Sequence, residues 1–122
     1  MDDLNLGSDE SIVKKIPKII VAGTRSEAIL TSRRFLLAER ETGRVFQEIP
    51  YADITLVLSG VNSIHEPVLT INATRPGGET QSTELVFVYQ PAGQNIRELE
   101  KCITILKEQN VPFQNTGLLS AT

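Results

Sequence analysis

The chain has 122 residues, 40% of them hydrophobic and 22% charged, with a net charge of −3, one cysteine and one histidine. A domain of that length buries roughly two-thirds of the surface its unfolded chain exposes, so one core suffices. An internal disulfide is excluded, a metal site would have to draw on other ligands, and no stretch approaches the ~20 apolar residues of a membrane-spanning helix. With no basic-then-apolar signal pattern at the N-terminus, the sequence reads as a cytoplasmic protein without cofactor or metal.

Residues 1–10, MDDLNLGSDE, are acidic and poor in apolar side chains, the composition of a disordered tail. Ile12, Val13 and Ile16 fall on one helical face, which predicts a one- to two-turn helix over 11–16 ended by Pro17. A strand follows over 18–22, closed by Gly23. The stretch 28–58 then reads as a meander of three or four strands built on Leu30, Phe35, Leu36, Leu37, Val45, Phe46 and Ile49. Thr31-Ser32-Arg33 and Glu41-Thr42-Gly43-Arg44 are its turns, the second with a glycine suited to positive φ. Pro50 donates no amide hydrogen and predicts a bend before a continuation over 54–58.

Further along, 59–67 has loop composition and 68–74 alternates as a half-buried strand, with Leu69, Ile71 and Ala73 on one side. Arg75-Pro76-Gly77-Gly78 is a turn, and 84–89 is a strand apolar on both faces. Leu99, Cys102, Ile103 and Leu106 recur at i, i+3, i+4 and i+7, which predicts an amphipathic helix over 95–110. Asn95 with Glu98 has the spacing of a capping box, and Asn110 and Pro112 stop the helix. Residues 114–122 read as a flexible tail, leaving 11–113 as the single domain.

Charge is uneven along this order. Residues 1–10 carry −4, residues 11–44 carry +5 from eight bases against three acids, and the rest carries −4. The basic portion includes Lys14, Lys15, Lys18, Arg25, Arg33 and Arg34, a group able to attract a phosphate or an acidic peptide. Solvated strand edges are the plainer account of the same residues. Nucleic acid is not expected, because the chain is acidic overall and no aromatic run interleaves with the bases.

About seven short antiparallel strands and one C-terminal amphipathic helix give a mainly β fold in which the helix covers the open end of a half-open barrel. That order is similar to the pleckstrin-homology-like (PH-like) barrel. Leu30-Thr31-Ser32-Arg33-Arg34-Phe35-Leu36-Leu37 resembles the L-T-x-x-R hairpin of prokaryotic PH-like and GRAM-like domains, and Ile49-Pro50-Tyr51-Ala52-Asp53-Ile54 resembles their P-x-x-D-I segment. The resemblance covers roughly residues 18–110. It implies a scaffold without catalytic machinery that binds peptides, lipids or copies of itself. In lipid-binding members basic residues flank the first hairpin, which points to Lys18, Arg25, Arg33 and Arg34 as ligand-binding, although their spacing departs from the K-x(n)-R-x-R pattern of those members.

Chemical candidates are sparse. His65, in a loop, lacks an evident partner. Cys102 lies on the apolar helix stripe, where a small buried hydrophobe is expected. Glu48 and Asp53 are a nominal acid–base pair, with Asp53 better placed as a turn residue. No nucleophile, base and orienting group come together. Ile19, Ile20 and Val21 are consecutive apolar residues in a strand that a half-open barrel would leave at its edge, which predicts self-association into a homo-oligomer. The function read from the sequence is a non-catalytic module that binds a protein, a peptide or itself by an exposed strand edge or the groove between barrel and helix, with docking on anionic membrane lipid through the basic half as the alternative.

Overall fold

A computed structural model describes residues 6–115 of the protein. The expectations for residues 1–5 and 116–122 lie outside the described residues. The described chain forms β1 (Ile12–Val21), β2 (Thr24–Thr31), β3 (Arg34–Glu39), β4 (Val45–Pro50), β5 (Ile54–Val61), β6 (Pro67–Thr74), β7 (Thr80–Phe87), α1 (Gln94–Glu108) and β8 (Phe113–Asn115). The eight strands make one sheet in the order β4-β3-β2-β1-β7-β6-β5-β8. Every neighbouring pair is antiparallel except β5 and β8, which are parallel.

β1 is the corner of the sheet. It pairs with β2 from Ile12 to Val21 but with β7 only through Ile19, Ile20 and Val21. The helix expected over 11–16 is therefore a strand. β-branched Ile12, Val13 and Ile16 fit a pleated surface as well as a helical face, and pairing Ile12 with Thr31 and Ile16 with Ala28 decides between them. Pro17, which has no amide to offer a ladder, falls in a register shift between Ile16 and Ile19, where Lys18 takes φ 70°. Ala22 and Gly23, both at positive φ, then reverse the chain in two residues, as a primed hairpin turn requires.

The sheet folds over on itself. β4 and β7 are separated by three strands, so a flat sheet would hold them about 19 Å apart. Instead Gln47 Nε2 donates to Thr83 Oγ1 at 2.7 Å. Inside the fold, Ile16, Ile19, Leu30, Phe35, Leu37, Val57, Leu69, Ile71, Leu85 and Phe87 form one buried core. Leu99, Cys102 and Leu106 of α1 close it, so the predicted stripe is the packed face, with Ile103 at its margin. Ile29, Leu36 and Ala38, with Val45 against them, make a smaller cluster. Alternation along β3 puts it on the opposite face from Phe35 and Leu37.

The ends of several elements differ from expectation. β5 continues to Val61 and β6 starts at Pro67, so the loop shrinks to 62–66. The bend at Pro50 is a 3-10 turn over Tyr51–Asp53 that separates two strands with different partners, β4 with β3 and β5 with β6. α1 begins beside Gly93 with no side-chain cap, and Asn95 turns inward to donate from Nδ2 to the Phe87 carbonyl at 3.3 Å. Asn110, at φ 62°, follows its last turn. Beyond Pro112 the chain is not loose: Phe113, Gln114 and Asn115 pair with Val57, Leu58 and Ser59.

Candidate functional site

The basic residues do not form one surface. β2 carries Arg25 near one end, while Arg33 and Arg34 follow its other end, about 20 Å of extended strand away. Lys18 belongs with Arg25, since neighbouring Ile20 pairs with Arg25 across β1 and β2. The pair Arg33 and Arg34 is bound to acids of this chain. Arg33 Nη2 lies 2.5 Å from Asp9 Oδ1, and Arg34 reaches both Glu10 and Glu48.

Glu10 is the centre of this network. Arg34 donates from Nε to Glu10 Oε2 at 2.9 Å and from Nη2 to Oε1 at 3.1 Å, and Thr31 Oγ1 donates to Oε2 at 2.5 Å. The two Arg34 bonds make the fork geometry in which guanidinium and carboxylate bind most strongly. These donors hold the carboxyl well below its ordinary 4.5, at about 2, and its side chain is only 3% exposed. A residue placed in the tail by composition is thus pinned to the sheet. Behind it, Tyr51 Oη donates to the Thr31 carbonyl at 2.8 Å, and burial pushes the phenol pKa up. Lys14 is likewise consumed: its Nζ is 2.9 Å from Glu98 Oε2, an ion pair whose angle falls short of a hydrogen bond. Lys18 and Arg25 are exposed and make no ion pair among the described residues.

Ile19 and Val21, expected at a self-association edge, face the core at 0% and 7% exposure. β1 has a partner on each side here, β2 and β7, so no free edge exists at these residues. Ile20 is half-buried on the opposite face. The edge reading assumed a chain-terminal strand, but the N-terminal strand lies in the middle of this sheet. Among the described residues its margins are β4 at one end and β8 at the other.

The remaining candidates separate. Glu48 is bound to Arg34, and Asp53 sits in the 3-10 turn, so the two are not paired with each other. His65 is exposed in the β5–β6 loop at φ 65°. Cys102 is fully buried, and burial pushes its thiol up to about 12, which leaves no thiolate at neutral pH.

The groove between barrel and helix was expected from the sequence, but the residues that line it were not. Between α1 and the β5–β6 hairpin runs a groove of about 340 Å³ lined by Gly60, Val61, Pro67, Ile96, Leu99 and Ile103, among others. Ile96 is 50% exposed at its rim, and Ile64, in the adjoining loop, is 70% exposed. Ile96 precedes Leu99 by three residues and Ile103 follows it by four, so the signal was a helix stripe wider than the core needed. β5 supplies the floor through Gly60 and Val61, two residues beyond its pairing with β8.

No family model and no curated relative matches this chain. Among solved structures it is similar to a Vps36 N-terminal PH domain, with a TM-score of 0.61 and 14% sequence identity, over 87% of this chain and 86% of that one. The order of strands and the C-terminal helix are therefore those of a PH-like fold, and at this identity the likeness concerns the fold alone.

Proposed function

We propose that the protein is a non-catalytic PH-like interaction module that binds a protein or peptide partner in the groove between α1 and the β5–β6 hairpin. The observation that carries this reading is Ile96, half exposed at the rim of a groove that Val61, Pro67, Leu99 and Ile103 also line, with Ile64 exposed in the adjoining loop. Large apolar side chains left exposed around a concave surface mark a place where another chain is buried. Membrane docking through the basic half has less support, because Lys14, Arg33 and Arg34 already meet Glu98, Asp9, Glu10 and Glu48. The charge of these three is met within the fold, and what remains at Lys15, Lys18, Arg25, Arg40 and Arg44 is screened beyond about 8 Å at physiological salt.

The test compares the parent with Ile96→Asp, a rim change that leaves the core untouched. Proteins retained from a lysate by the parent are expected to be lost by the variant at equal melting temperature. Neither protein is expected to sediment with anionic vesicles at physiological salt. Retention unchanged by Ile96→Asp, or salt-sensitive vesicle binding abolished by Arg25→Glu, would replace this reading with another surface.

A second form of protein binding is self-association, for which β4 is the better supported edge. Among the described residues this strand pairs only with β3; it carries no lysine or arginine and exposes Phe46 at 44%. An unpaired edge without basic guards is a template for another strand.

A further inference from the structure

We infer that the N-terminal half of β7 is a second docking edge, where an extended partner segment carrying lysine or arginine adds as a strand. It shares no lining residue with the groove beside α1 and does not depend on it. β7 pairs with β6 from Thr80 to Val86, but with β1 only at Leu85, Val86 and Phe87. Past Val21, the Ala22-Gly23 turn carries the chain away into β2. Strand order conceals the result. β7 lies inside the sheet, yet residues 80–84 have no strand on their β1 side among the described residues.

The pleat decides which backbone groups face this gap. The Val88 amide donates to the Lys18 carbonyl at 3.2 Å, so it points to the β1 side. Alternate residues of a strand direct their amides and carbonyls the same way, which puts those of Val86, Glu84 and Ser82 on that side too. Val86 lies opposite Ile20, whereas Glu84 and Ser82 lie past the last pair, Val21 with Leu85. Lysine and proline, which commonly guard an open edge, are absent from 80–84.

Beside the edge is a hollow of about 370 Å³. Gln47 reaches it from β4 through its bond to Thr83, and Ile20 and Val86 line it on the face away from the core. Glu84 is exposed, is the one charged side chain lining it among the described residues, and has no ion pair there. Arg25 stands beyond Ile20 on β2, about 10 Å of strand spacing from β7. The hollow is therefore acidic where the edge is open.

These positions specify the occupant. A residue added opposite Ser82 shares the outer face with Glu84 and lies diagonal to it, within reach of a long side chain. Lysine or arginine there meets the carboxylate and lays its methylenes on Ile20 and Val86. Its two neighbours turn inward opposite Thr83 and Gln81, beside Val21, which suits small or β-branched residues. An acidic strand meets like charge. Main-chain bonds to the edge supply affinity, and the base opposite Ser82 supplies the choice of partner.

The probe is a labelled heptapeptide of alternating lysine and valine, compared with a version carrying glutamate for lysine, each titrated into the full-length chain. The lysine peptide is expected to bind at least tenfold tighter than the glutamate peptide and to raise hydrogen-exchange protection of the Ser82 and Glu84 amides at least tenfold. Glu84→Lys, at an exposed side chain, is expected to reverse the preference between the two peptides. Ser82→Pro removes an edge amide and is expected to weaken the lysine peptide at least tenfold, with unchanged protection in β2 and β5 reporting an intact fold; Glu84→Lys supplies the test where the proline disturbs that fold. Ile96→Asp, on the other surface, is expected to change neither affinity. Equal affinity for the two peptides, a preference unaltered by Glu84→Lys, or protection appearing at β4 in place of Ser82 and Glu84 overturns the inference. Loss of the lysine peptide by Ile96→Asp alone also overturns it and assigns the binding to the groove.

Discussion

Glu10 carries more structural weight than its position in the sequence indicates. Its carboxyl is held at about 2 by Arg34 and Thr31, against an ordinary 4.5 in the unfolded chain. As pH falls the unfolded chain takes up this proton first, so the stabilisation is complete above pH 4.5 and is lost between 4.5 and about 2. Glu10→Gln is expected to melt below the parent at pH 7, with the gap closing as pH approaches 2. Thermal melts of both proteins across that range check it; a gap independent of pH would mean that the carboxylate charge contributes nothing. Composition hid this residue because an acidic decapeptide with few apolar side chains has the same profile whether free or anchored by its last member. The partner, Arg34, is 24 residues away, a pairing that only the fold creates.

At the scale of elements, the amphipathic helix and the meander were legible because both are written in local periodicity. Leu106 shows how far that legibility extends: the stripe predicted burial, and its side chain is fully enclosed. Leu106→Ala is expected to cost about 2–5 kcal/mol through lost transfer energy and the cavity left behind. For a domain of this size that is a fall in melting temperature of very roughly 10 °C. A shift of a degree or two would show that α1 is not docked. β1 was illegible for the opposite reason. Ile12, Val13 and Ile16 satisfy a helix face and a strand equally, and only the long-range pairing with β2 breaks the tie. β8 was missed because three residues carry no period at all, and its partner strand lies more than fifty residues upstream.

For the whole molecule, the fold class could be read from the number and order of elements, and so could a groove between barrel and helix, whereas the residues of the site could not. Lys18, Arg25, Arg33 and Arg34 are close in sequence, yet the length of β2 separates Lys18 and Arg25 from Arg33 and Arg34. Ile19 and Val21 look like an edge until β7, some sixty residues later, pairs with them. Sequence order alone does not reveal that the first strand is central and the fourth marginal, and this relocates the prediction of self-association. Two copies joined through β4 form antiparallel strands about a two-fold axis, so a single self-complementary edge closes the assembly. Six residues a side bury little area, well under the ~1,200 Å² of a stable interface, so the expected product is a weak dimer whose mass grows with concentration. Light scattering after size exclusion, from about 10 μM to about 1 mM, is the measurement. Phe46→Lys places a charge on the exposed face of the edge, and Ile20→Lys places one on β1, which pairs with β2 and β7 and not with β4. The first is expected to abolish the concentration dependence and the second to leave it unchanged. A single-chain mass throughout the range, or dissociation by Ile20→Lys alone, would rule out β4 as the contact.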